Sequence, residues 1–97
     1  MPRLINKHFG MIISVEPTEK TKDDESWIWR KDYEGFIGVI SIYESQGVAK
    51  GQHFIVVNND TRYIRTGVGK LTYTKILNEQ FITLETTNSV YTIKIIS

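Results

Sequence analysis

The chain contains no cysteine, only one alanine (Ala49), four leucines and two prolines. Without cysteine there can be no disulfide, thiolate metal site or cysteine nucleophile, so folding must rest on packing; the lack also fits a reducing compartment. Scarcity of alanine and leucine removes the strongest helix formers. Near the start the longest apolar run is Met11-Ile12-Ile13, far too short for a signal-peptide core or a membrane span. A protein that stays in the cytosol, with no membrane partner, is therefore expected.

Isoleucine, valine and threonine fill what is left, with 14, 7 and 10 copies among 97 residues. Branching at Cβ restricts χ1 and suits a pleated, half-buried surface, so the composition predicts an all-β protein. Charged residues make up 24% and apolar residues 40%, an ordinary globular mixture in a length suited to one domain, 1–97.

Turn residues cut the chain into about eight short strands. They are read at 9–15, 27–33, 36–43, 52–57, 61–66, 70–76, 80–86 and 90–96. The run 36–43 carries apolar residues on both faces and is placed centrally. Gly47 and Lys50-Gly51 punctuate the stretch before the fourth strand, and Asn58-Asn59-Asp60 is the clearest hairpin signal. A bulge or sharp bend is expected at Gly67 and Gly69. So many short strands fold most economically as a small antiparallel β-barrel, because closure removes unpaired edges; a two-sheet β-sandwich is the alternative.

Of the chain's 12 basic and 11 acidic residues, five acids and two bases fall within 16–26, which reads as an exposed acidic loop. That leaves ten bases against six acids elsewhere. Arg62, Arg65, Lys70 and Lys75 follow one another with no acid between them, a basic stripe able to attract a phosphate-bearing partner or to discourage edge-to-edge association.

Sites for chemistry are few. His8 and His53 lie near no second ligand type at metal spacing, and no His/Asp/Ser grouping is visible. Asp23-Asp24-Glu25 lacks the alternating oxygens and glycine of a calcium loop. Gly67-Val68-Gly69-Lys70 fails as a nucleotide-binding loop, with Ile64 where a glycine is needed and Leu71 where a hydroxyl is needed. Neither enzymatic activity, metal nor cofactor is expected.

Aromatic rings interleaved with bases are more informative, because stacking plus phosphate neutralisation is how small β-barrels grip single strands. Arg62, Tyr63, Arg65 and Lys70 form the predicted ligand-binding set. With Ile64 inward, Tyr63 and Arg65 point outward together. Trp27, Trp29 and Arg30 form a second set, read as a strand whose two indoles share a face and meet a partner if exposed.

The closing stretch Thr86-Thr87-Asn88-Ser89-Val90-Tyr91-Thr92-Ile93 resembles the T-x-N-S-x-Y ending of small β-rich proteins of phages and other bacterial mobile elements. The resemblance implies a cytosolic accessory protein that acts on a host system. It would do so by binding a host macromolecule, nucleic acid or protein, or by sequestering a small phosphate-bearing nucleotide signal as an oligomer. A structural phage component is a further reading. Unpaired strand edges make a homo-oligomer the default expectation.

Overall fold

A computed structural model describes residues 2–46 and 51–97. Gly47 and Lys50, read as strand punctuation, lie outside the described residues.

The described residues form seven antiparallel strands and one 3-10 helix: β1 (Arg3–Pro17), the helix (Glu25–Tyr33), β2 (Ile37–Glu44), β3 (His53–Asn58), β4 (Tyr63–Arg65), β5 (Gly69–Ile76), β6 (Glu79–Thr86) and β7 (Ser89–Ile95). They form one sheet in the order β2-β1-β7-β6-β5-β3-β4, and a further β2–β3 pairing closes it into a barrel-like ring. The protein is all-β, with a single closed sheet in place of a two-sheet sandwich. As placed, β2 is central, paired with β1 on one side and β3 on the other.

Alternation along the strands builds the core. Ile40 and Ile42, Ile55 and Val57, Ile82 and Leu84, and Tyr91 and Ile93 point inward from β2, β3, β6 and β7. Ile12 and Val15 of β1 are both fully buried although three residues apart, a spacing that strict alternation forbids. A register shift between Ile12 and Ser14 resolves this, since one extra residue returns Val15 to the inner face. Each fully buried Ile or Val contributes about 1.5–3 kcal/mol relative to exposure.

The junction between β5 and β3 depends on one residue. Gly69 pairs with Thr86 of β6 and with His53 of β3, the one pairing between β5 and β3 among the described residues. A side chain here would run into the Glu85 carbonyl on the neighbouring strand, so only glycine lets the backbones approach at this corner. The expected bend therefore falls between the end of β4 at Arg65 and the start of β5 at Gly69.

Three sequence expectations are corrected. Among the described residues strands number seven, not eight, because 27–33 lies within the 3-10 helix. Asp24 caps that helix by accepting from Ser26 N at 2.9 Å, and its local hydrogen bonding overrides the strand preference of Trp27-Ile28-Trp29. Consequently Trp27 and Trp29 do not share a face: Trp27 is 3% exposed and Trp29 52%. Nor is 16–26 wholly an exposed loop, because Glu16 and Pro17 finish β1 and Thr21 is buried.

The tie that buries Thr21 is the turn between β6 and β7. Thr18 Oγ1 donates to Thr87 O at 2.8 Å, Thr21 Oγ1 to Asn88 O at 2.6 Å, and Trp27 Nε1 to Ser89 Oγ at 2.8 Å. Thr86 Oγ1 accepts from Ser89 N within the turn. The T-x-N-S-x-Y stretch is thus the platform on which the segment from Thr18 to Trp27 is seated. Tyr91, its last member, is a core ring whose phenol is pushed above the usual tyrosine range by burial.

Candidate functional site

Arg62 sits in the turn between β3 and β4, and Asn59 shapes that turn. The Asn59 Oδ1 accepts from Thr61 N, Thr61 Oγ1 and Arg62 N at 2.9, 2.9 and 3.0 Å, while its Nδ2 donates to Ile37 O at 2.9 Å. This Asx-type turn fixes the backbone at Arg62 and ties it to the start of β2. The Arg62 guanidinium then lies 5.3 Å from the centre of the Tyr33 ring and 5.8 Å from that of Phe36. Both rings pack on the core from beneath.

On β4 the alternation is Tyr63 out, Ile64 in, Arg65 out, with Ile64 2% and Tyr63 63% exposed. Arg65 lies opposite Val56, and its guanidinium rests 4.5 Å above the Phe54 ring. Phe54 stacks in turn on Tyr43 at 5.1 Å with the planes 10° apart. Phe54 and Val56 point away from the core on β3 yet are buried, so the arginine and Tyr43 help to roof an outer apolar strip.

The tryptophan set joins this surface through Tyr33. The Arg30 guanidinium lies 4.7 Å from the Trp29 ring centre, and Trp29 meets Tyr33 edge to face at 5.5 Å. Arg30, Trp29, Tyr33, Arg62 and Phe36 therefore form one continuous ladder of cations and rings. It links two stretches of sequence about thirty residues apart. Trp27 is not part of it, because its indole is spent on the core and on Ser89.

Lys70 also stands apart. It faces outward on β5 opposite Glu85, and no hydrogen bond, ion pair or ring contact joins it to Arg62, Tyr63 or Arg65 among the described residues. Tyr33, Phe36, Phe54 and Tyr43 are the members that sequence reading missed.

Four cations elsewhere form ion pairs among the described residues. Arg3 pairs with Glu44, Lys22 with Glu19, Lys31 with both Glu16 and Glu34, and Lys94 with Glu79. Among the described residues no such pair includes Arg30, Arg62 or Arg65. These three guanidinium groups lie over rings and leave their N–H donors without a carboxylate.

Neighbouring carboxylates serve the scaffold. Glu34 Oε2 accepts from Val15 N at 2.9 Å and from Lys31 Nζ at 3.2 Å, which holds its carboxyl below the usual glutamate range and pins the end of the 3-10 helix to β1. Lys31 is raised above the usual lysine range, chiefly by its bond to Glu16.

The two histidines lie apart from the ladder. His8 Nε2 is buried without a hydrogen-bond partner, its ring edge-on to Tyr73 at 6.5 Å, and His53 lies in β3 opposite Glu44. No cluster of three or more His, Asp or Glu side chains suited to a metal ion occurs among the described residues. Among the described residues, no helix is long and apolar enough to cross a membrane. Comparison with protein-family models, curated proteins and solved structures found no match.

Proposed function

We propose that this protein is a non-enzymatic binding module that grips a single-stranded nucleic acid along the Arg30–Trp29–Tyr33–Arg62 ladder and the adjoining Tyr63–Arg65 face. One observation carries the reading: Arg62 and Arg65 both hold their guanidinium groups over aromatic rings, at the surface, and among the described residues neither forms an ion pair with a carboxylate. A phosphate is the natural partner for such groups, and Tyr63 and Trp29 offer exposed ring surface for bases. The likeness of the closing motif to phage and mobile-element proteins supports a host macromolecule as the partner and the cytoplasm as the setting.

Anisotropy of a labelled single-stranded oligonucleotide tests this. Arg62→Ala/Arg65→Ala is expected to weaken binding at least tenfold, and Lys70→Ala, off the ladder, to change it little. A protein that ignores oligonucleotides but is stabilised by a mononucleotide in proportion to the logarithm of its concentration is a nucleotide-sequestering protein. One that responds to neither, and forms a defined large assembly, is a structural component.

A further inference from the structure

β5 is long, and most of it is paired on one side. All eight residues from Gly69 to Ile76 face β6, whereas β3 reaches β5 only at His53 opposite Gly69. Among the described residues, positions 70–76 thus hydrogen-bond along one edge alone. The first six positions after Gly69 include Thr72, Tyr73 and Thr74, all exposed, and Ile76 at the end is 58% exposed. An open edge of β-branched and aromatic residues is a template for another strand.

Its sequence is self-complementary in the register that overlaps the whole edge. Two copies related by a two-fold axis perpendicular to the sheet must place a residue opposite itself, because each strand has to keep its side chains on the same faces. With Tyr73 on the axis, all seven positions overlap. Lys70 then lies opposite Ile76, Leu71 opposite Lys75 and Thr72 opposite Thr74. No like charges meet, and Tyr–Tyr and Thr–Thr are favourable cross-strand pairs. An axis through Lys70 or Lys75 instead sets lysine against lysine.

We infer that β5 is the interface for a second copy of this chain, which pairs antiparallel through residues 70–76 with Tyr73 on the two-fold axis and continues the sheet across the dimer. The inference stands on strand pairing and is independent of the nucleic-acid reading.

Absence of cysteine gives a clean test. Tyr73→Cys introduces one thiol per chain, opposite its own copy, and copper–phenanthroline oxidation should convert most of the protein to a disulfide-linked dimer. Lys70→Cys, whose copies lie about 20 Å apart in this register, should stay uncrosslinked. Light scattering should give wild type at twice 11.2 kDa. Thr72→Lys/Thr74→Lys, which opposes lysines twice, should run as a folded monomer by circular dichroism, while Thr72→Lys/Thr74→Glu should restore the dimer. A monomeric wild type at millimolar concentration overturns the inference. So does a dimer that Thr72→Lys/Thr74→Lys leaves intact, or crosslinking of Lys70→Cys as efficient as that of Tyr73→Cys.

Discussion

The indole N–H of Trp27 donates to the hydroxyl of Ser89 at 2.8 Å, with Trp27 3% and Ser89 1% exposed. One bond thereby joins the 3-10 helix that carries Trp29, Arg30 and Tyr33 to the turn between β6 and β7. Buried polar groups that lose a partner are costly because water cannot replace it. Ser89→Ala should lower unfolding free energy by about 1–3 kcal/mol. In urea denaturation, adding Trp27→Phe to Ser89→Ala should cost less than the sum of the two single changes; strict additivity would show that the bond contributes nothing.

Gly69 predicts a larger effect. Gly69→Ala forces a methyl group against the Glu85 carbonyl, and a backbone neighbour cannot swing aside as a side chain would. A loss of about 3 kcal/mol is expected, seen as a lower urea midpoint. Gly67→Ala, with only the Thr86 side chain near and at ordinary contact distance, should be mild.

Leu77 predicts a gain. It occupies the first position of the two-residue connection between β5 and β6 with φ of 57°, and its side chain is 91% exposed. A leucine in the left-handed region costs about 1–3 kcal/mol, and no packing offsets it here. After the extra chain entropy of glycine is deducted, Leu77→Gly should stabilise the protein by about 1 kcal/mol. An unchanged or lower melting temperature would contradict this.

Acid should release the 3-10 helix from β1. Because the Glu34 carboxyl titrates below its unfolded value, its contribution is present above the unfolded pKa and lost as pH falls through the lowered folded one. The Val15 amide, which donates to Glu34, reports this in an NMR titration. Its shift should move with a midpoint below that of a free glutamate, and Glu34→Gln should abolish the step. A midpoint at or above the ordinary value would contradict the assigned cause.

Much of the β framework was legible because burial and Cβ branching speak with a period of two. The inward pairs Ile40/Ile42, Ile55/Val57 and Ile82/Leu84 follow from alternation alone. Asn59 was legible as a turn former for its local side-chain chemistry. The 3-10 helix was not, because Trp, Ile and Trp in succession mimic a strand. Its signal lay in the spacing of Asp24, Trp27, Arg30 and Tyr33, three apart throughout, which a threefold helix puts on one face. Of the candidate site, the outward pairing of Tyr63 with Arg65 could be read locally. The seat of Arg62 on Tyr33 and Phe36 could not, since only the tertiary return of β3 and β4 brings these residues together.

The salt dependence of single-strand binding tests the central claim most directly. If Arg62 and Arg65 each neutralise a phosphate, the slope of log K against log salt for the wild type should exceed that of Arg62→Ala/Arg65→Ala by about 1.4, at roughly 0.7 per phosphate. Equal slopes would place the phosphate contacts elsewhere and contradict the account.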